Sequence, residues 1–336
     1  MALITMKQAL DEAAKKEYAL GGFNVNNMEQ IQAVMNAAQE TFSPVILQVS
    51  RGGREYANDH FLIHLFKAAV ESYPTIPIVL HQDHGDIDSC ISAINLGFTS
   101  VMIDGSLLED KKTPSPFEYN VKVTQKVVAY AHAKGVSVEA ELGCIGGIED
   151  GVGFGKNPFA YLTDPDQAVE FVNKTKVDSL AVAIGTSHGA YKFAKKPDHS
   201  ALAMERIIEI HKRLPNTHLV MHGSSSVPQE LQELINKYGG NIKQTWGVPI
   251  EEIQLGIKNG VRKVNVDTDS RLAITGAIRQ YFAENPSEFD PRIYLQKARD
   301  FAKEVISKRM IIFGQANRIG DYIPQSLDKM KKAYTI

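Results

Sequence analysis

Eight short aliphatic runs alternate with helical patterns along the 336 residues, and they predict a closed α/β barrel of the (β/α)8 type with extra C-terminal helices. Three observations carry this expectation. The runs are mostly uninterrupted by polar residues, as expected of parallel strands buried under helices on one side. Eight units in about 270 residues suit a closed barrel better than an open doubly wound sheet. No Gly-x-Gly-x-x-Gly follows the first run, which weakens a dinucleotide-binding sheet.

The strands are expected near 18–25, 44–49, 76–81, 99–103, 136–141, 178–184, 217–221 and 262–266. Apolar residues recur at helical spacing over 28–42 and 117–133. Asp164-Pro165 reads as an acidic N-cap followed by proline at the first helical position, and Pro228 and Pro249 are expected to open helices in the same way. Residues 1–336 read as a single TIM-barrel domain, the barrel ending near 284. The helical tail, 285–336, suits barrel capping or oligomer contacts.

Composition removes several classes of function. The chain is 43% hydrophobic and 23% charged, with a formal net charge of -2. That balance gives no electrostatic case for nucleic acid or an anionic membrane. The first residues lack a cationic, apolar leader, and no apolar stretch approaches the ~20 residues of a membrane span. With Cys90 and Cys144 the only cysteines, no disulfide framework is expected and a cytoplasmic setting fits.

The C-terminal ends of the strands read, in order, Asn24, Ser50, Asp83-His84, Asp104, Glu141, His188, His222-Gly223-Ser224-Ser225 and Asn265-Val266-Asp267-Thr268. These ends share one face in a barrel, where active sites of the fold are built. Asn24, Ser50 or Asp104 alone could simply cap a following helix. His84, His188 and His222 each close an apolar run and abut a glycine. Three converging imidazoles with one open position match catalytic zinc. No lysine falls at such an end, since Lys263 sits at the wrong end of strand eight, and this disfavours a Schiff-base mechanism. Two long loops, 142–162 with its glycines 143, 146, 147, 151, 153 and 155, and 189–200 with Lys195-Lys196, read as lids.

Asp83 precedes a candidate ligand, and adjacency alone leaves two roles open, orienting a histidine or acting on substrate. The segments Gln-Asp83-His84-Gly, Glu-Ala-Glu141-Leu-Gly-Cys, Gly-Thr-Ser-His188-Gly-Ala-Tyr, His222-Gly-Ser-Ser-Ser and Lys-Val-Asn265-Val-Asp267-Thr268 resemble the class II fructose-1,6-bisphosphate aldolases. The likeness runs from the first strand to about Arg309 and is nearest the Calvin-cycle form.

The resemblance implies reversible cleavage of fructose 1,6-bisphosphate into dihydroxyacetone phosphate and glyceraldehyde 3-phosphate, with Zn2+ on the three histidines. It implies Asp83 as proton carrier at the carbon-4 oxygen, Glu149 as proton carrier at the enediolate carbon, and Asn265 as a further catalytic residue. Ile148 departs from relatives that carry an acidic or amide residue there. Asp104 and Glu141 match ligands of a second divalent position, with hydrogen bonding beneath the site as the alternative, and a monovalent cation is also left open. Phosphate contacts are implied at Gly189, Gly223, Ser224, Ser225, Asn265, Val266, Asp267 and Thr268, and sugar contacts at Asn24 and Ser50. Arg271 and Arg279 are both candidates for a neighbouring subunit's substrate phosphate in a homodimer or homotetramer. Tagatose 1,6-bisphosphate or an added sedoheptulose activity are the nearest alternatives. A metal-dependent hydrolase and a non-catalytic accessory subunit are the readings from other classes.

Overall fold

The computed structural model describes residues 2–110, 112–149, 152–154, 161–197 and 201–335, with backbone alone for 146–149 and 152–154. Eight parallel strands close on themselves: β1 Leu20–Asn24, β2 Val45–Ser50, β3 Ile78–Gly85, β4 Ser100–Ile103, β5 Ser137–Leu142, β6 Ser179–Val182, β7 His218–Met221 and β8 Val261–Val266. Each pairs with its successor, and β1 pairs with β8 through Leu20 opposite Lys263 and Gly22 opposite Asn265. Helices follow the strands on the outside, including Met28–Thr41, Ile87–Leu96, Phe117–His132, Pro165–Thr175, Met204–Arg213 and Thr268–Glu284.

Strand alternation divides the molecule into an outer and an inner core. Leu47, Val49, Ile78, Leu80, Val101, Ile103, Val138, Ala140, Leu180, Val182, Leu219, Met221, Val264 and Val266 belong to one large cluster that packs against the helices. Residues of the opposite parity face the barrel axis. Leu20, Ile46 and Val79 form the lowest of these layers. Met102, Ala181 and Val220 form a small apolar group of their own. Most other inner positions are polar and buried, among them Gln48, His81, Asp83, Ser100, Glu139, Glu141, His222, Lys263 and Asn265.

The helix Met6–Lys15 closes the bottom of the barrel. Thr5 caps it by accepting from the Gln8 N–H, and its Met6, Ala9, Leu10 and Ala13 pack with Leu20, Ile46 and Val79. Tyr18 and Tyr322 join the same cluster and share a hydrogen bond of 2.6 Å. The tail contributes the long helix Pro291–Ile312, capped by Asp290, which lies along Met28–Thr41 and Thr268–Glu284.

Several expectations need correction. The strand β3 does not stop at residue 81 but runs through Asp83 and His84 to Gly85. Pro228 and Pro249 are N-cap residues rather than first helical residues, because the helices begin at Gln229 and Ile250. Ring geometry suits proline to either place, since neither position needs its N–H in the helix ladder. The glycine-rich 142–162 segment is not loop throughout. Gly146–Glu149 and Val152–Phe154 pair antiparallel, and the first of these also pairs parallel with Ser187–His188. The helix Met6–Lys15 before β1 has no counterpart in the expected elements, and Arg51–Ala57 with Asp59–Ser72 places two helices between β2 and β3 where the alternation calls for one.

Leu10→Ala removes the largest aliphatic side chain that the plugging helix commits to this layer. The expected loss is about 2–5 kcal/mol of unfolding free energy in denaturant titration, with turnover per folded molecule unchanged because the strand C-termini lie at the opposite end.

Candidate active site

The end of β3 carries two functional side chains side by side, and backbone conformation explains how. Asp83 has the inward parity of His81, so it points into the barrel without distortion. His84 has the outward parity, but its φ of 45° and a register shift between Gln82 and Gly85 break the alternation. The turn brings its ring to the barrel mouth. There His84 Nδ1 lies 3.0 Å from Asp104 Oδ2, and its Nε2 lies 3.0 Å from His222 Nδ1.

The protons in this chain of contacts can be assigned. An ionised carboxylate only accepts, so His84 donates Nδ1–H to Asp104 and presents a lone pair at Nε2. The other nitrogen of His222, Nε2, lies 2.8 Å from Glu139 Oε1, so His222 donates there and presents a lone pair at Nδ1. Desolvation would raise the Asp104 carboxyl, but the hydrogen bond from His84, with two bonds from Ser106, holds it at about 2. Burial lowers the His222 pKa and outweighs the Glu139 bond that works against it. His222 is therefore a neutral ring at neutral pH, the ligand form of histidine.

Two lone-pair nitrogens facing at 3.0 Å repel each other unless a cation lies between them. Two nitrogens about 2.0–2.1 Å from tetrahedral zinc are separated by about 3.3 Å. The ring of His188 stands 4.9 Å from that of His84, and ligand atoms of His84, Glu141, His188 and His222 all fall within 4.8 Å of one another. This donor set fits a divalent ion. Asp104 falls outside the group and serves as the acceptor that sets the His84 tautomer.

A buried polar layer supports the histidines from below. Glu139 accepts from His222 on one oxygen and from Lys263 Nζ at 2.9 Å on the other. Burial opposes its charge, yet Lys263 and the His222 bond pull its carboxyl well below the usual range. His81 sits against Ser100 at 2.8 Å, and burial with the nearby Lys263 charge depresses its pKa to about 3. Above this layer, Asp83 takes amide contacts from Gln48 at 3.2 Å, Asn24 at 3.5 Å and Asn265 at 3.4 Å. Gly22 makes room for them. A methyl group there would lie 2.3 Å from the Gln48 amide oxygen.

A pocket of about 240 Å3 opens beside His188, lined by Asn24, Gly189, Gly223, Ser224, Ser225, Asn265, Asp267, Thr268 and Arg271 among others. Gly223 adopts φ 59°, and any Cβ there would lie 2.7 Å from the Ser187 carbonyl oxygen. Small residues in this loop let backbone approach backbone, and would let it approach an anion equally closely. A larger cavity of about 570 Å3 lies on the other side of His84 and His188, against Arg51, Asp104, Glu141 and Cys144.

The structure gathers Asn24, Asp83, His84, Asp104, Glu141, His188, His222 and Asn265 at one end of the barrel, with Gly189, Gly223, Ser224, Ser225, Asp267 and Thr268 in the adjoining pocket. Ser50 caps the helix Arg51–Ala57 by accepting from Gly53 N–H at 3.1 Å. Val266 sends its side chain into the outer core. Arg271 lines the pocket and holds Asp267 at 2.8 Å, whereas Arg279 reaches toward the Tyr238 carbonyl at 3.5 Å. Lys263 lies in the first half of its strand, short of the C-terminal rim, and is fully buried against Glu139. The Glu149 backbone pairs with Val152, while its side chain, Asp150, Gly151, Gly155 and residues 198–200 lie outside the described residues. Sequence reading missed Gln48, His81, Glu139 and Lys263. A signal existed: Gln48 and Ser50, His81 and Asp83, Glu139 and Glu141, and Lys263 and Asn265 are polar pairs two residues apart, hence on one strand face.

Comparison with known proteins agrees with this arrangement. Residues 4–318 match the family described as fructose-bisphosphate aldolase class-II. The chain is 58% identical to a fructose-bisphosphate aldolase of Nostoc sp., over 99% of this chain and 96% of that protein. It is 57% identical to one of Pseudomonas aeruginosa, over 99% and 97%. The crystal structure of the YdjI aldolase from Escherichia coli K12 superposes with a TM-score of 0.74 at 27% identity, covering 94% of this chain and 99% of that one. With its barrel, its clustered histidines and these likenesses, the chain belongs to the class II, metal-dependent fructose-bisphosphate aldolase family.

Proposed function

We propose that the chain reversibly splits fructose 1,6-bisphosphate into dihydroxyacetone phosphate and glyceraldehyde 3-phosphate, with zinc as its metal on His84, His188 and His222. The observation that carries the reading is the facing pair of lone-pair nitrogens, His84 Nε2 and His222 Nδ1, beside a fully buried carboxylate, Asp83. The ion, when bound, supplies a Lewis acid that polarises the ketose carbonyl and offsets the negative charge that develops there. Asp104 and Glu141 border the same histidines and are the candidates for a second ion position.

The remaining chemistry belongs to the chain's own groups. Asp83 takes the proton of the carbon-4 hydroxyl as the bond between carbons 3 and 4 breaks, and its electron pair passes to carbon 3. Glu149 delivers a proton to carbon 3, completing the triose. Asn24 and Asn265 hold Asp83 in place through their amides, and the family resemblance assigns contacts with the sugar to Asn24 and Ser50. One substrate phosphate occupies the pocket of Gly189, Gly223, Ser224, Ser225, Asp267 and Thr268, with Asn265 also lining it and Val266 next in the strand. The free, buried Cys90 and Cys144 suit a reducing cytoplasm, and no helix among the described residues is long and apolar enough to cross a membrane. We read residues 1–336 as one catalytic domain whose tail, 285–336, is part of the working enzyme.

A strong chelator should abolish cleavage and zinc should restore it, with kcat/KM for the fructose substrate above that for tagatose 1,6-bisphosphate. Irreversible inactivation by borohydride plus dihydroxyacetone phosphate would point instead to an imine, and a reversed substrate order would reassign the substrate.

Asp83→Ala should lower kcat by at least ~10²-fold, within the range of general acid–base groups, while zinc content measured by atomic absorption stays near wild type. Joint loss of zinc and activity would make Asp83 an orienting group for a histidine.

Glu149→Ala should nearly eliminate deuterium incorporation from solvent into dihydroxyacetone phosphate, a step that needs no aldehyde. Affinity for that ligand should change little, the pattern of a lost transition-state interaction. Undiminished exchange would move the proton transfer to another group, Asp150 first.

A further inference from the structure

The long helix of the tail reaches back to the pocket from behind. Arg309, near the C-terminal end of Pro291–Ile312, is buried and does not line the pocket itself. Its Nε donates to Asp269 Oδ2 at 2.9 Å, and its Nη2 donates to the Ser226 hydroxyl. Asp269 is fully buried in the first turn of Thr268–Glu284. It also accepts from the Val227 N–H at 2.9 Å, the Ser226 N–H at 3.4 Å and the Ser226 hydroxyl at 3.3 Å.

The contacts form a closed triangle of guanidinium, carboxylate and hydroxyl that grips the end of the loop after β7. Val227 is held there at φ 47°, a conformation that β-branched residues avoid, so the loop end would not keep this shape unaided. Two residues earlier, Ser225 Oγ accepts from the Asp267 N–H at 3.3 Å. Two successive links therefore tie the loop after β7 to the loop after β8, and these are the loops that line the pocket. Charge matters as much as shape. Asp269 places a buried negative charge behind a pocket read as an anion site, and the Arg309 guanidinium is the cation paired with it.

We propose that Arg309 is a positioning residue for substrate phosphate: it fixes the backbone N–H groups of the two loops and neutralises Asp269, so the tail sets phosphate affinity without touching the ligand. The proposal rests on the reading that this pocket holds a phosphate.

The test measures KM for fructose 1,6-bisphosphate, the inhibition constant of inorganic phosphate, kcat and zinc content for the full-length enzyme and its variants. Arg309→Met should raise KM and the phosphate constant roughly tenfold, the scale of one charge-assisted hydrogen bond, with kcat within about twofold and zinc content unchanged. Arg309→Lys restores the charge but not the fork, so both constants should move back toward wild type. Ser226→Ala removes one corner of the triangle without removing a charge, and should raise both constants about threefold even if Arg309→Met does not fold. Competition by phosphate in the wild type with an unchanged constant in Arg309→Met or Ser226→Ala overturns the proposal. So does a fall in kcat together with zinc loss, which is the mark of general disruption. If inorganic phosphate does not compete in the wild type at all, the phosphate reading of the pocket fails first.

Discussion

The ion pair between Lys263 and Glu139 is the interaction on which the site depends. Both side chains are fully buried inside the barrel, where neither charge reaches water. A buried ion is tolerated only when a partner and further hydrogen bonds compensate its lost hydration. Lys263 meets Glu139 at 2.9 Å, and the remaining capacity of Glu139 goes to His222. A neutral glutamic acid could hold its proton against His222 and reverse which nitrogen of the ring is free. The charge of Lys263, which acts on the ring only through Glu139, thus favours the arrangement in which the His222 lone pair points at His84. From there the Asp104 carboxylate repeats the device on the second ring. Two carboxylates, each pushed toward its ionised form by neighbours, set two imidazoles in complementary orientation.

The barrel and the rim of its site were legible in the sequence because each rests on a local signal. Aliphatic runs marked all eight strands, and a polar residue before glycine marked where several of them end. The supporting layer was not legible by that method. Gln48, His81, Glu139 and Lys263 lie inside runs that read as simply apolar, and their significance appears only when strand parity places them on one axis. His84 shows the opposite limit. Its parity points outward, and a left-handed backbone conformation overrides it. Glycines made 146–154 look like plain loop, since they carry no strand preference; pairing with Ser187–His188 is a tertiary contact that no local window contains. That Arg271 and not Arg279 lines this chain's own pocket follows from which turn of Thr268–Glu284 faces it, and that is set by packing rather than by composition.

The tail illustrates the same division between local and tertiary information. Charged faces beyond residue 284 read as a cap on the barrel, which accounts for most of the surface of Pro291–Ile312. Arg309 is the exception on that helix because its guanidinium turns inward to a buried carboxylate. The pocket is consequently built from three stretches far apart in the chain: the loop after β7, the first turn after β8, and a helix nearly at the end.

Closure of the barrel has a consequence for how the chain reaches this state. The free edge of β1 is covered only when β8 arrives, so Leu20 waits for Lys263 across almost the whole sequence. Tyr18 waits longer still for Tyr322. During synthesis every earlier strand can add to the growing sheet, yet the sheet keeps an exposed, pairing-competent edge at each side until the last unit leaves the ribosome. Contacts of such sequence separation slow folding, because chain entropy is spent before they form. The interior charges sharpen the delay, since Glu139 in β5 has no ammonium beside it until β8 is in place. A half-built barrel of this sequence is thus both sticky at its edges and electrically unbalanced within, and the final strand resolves both at once.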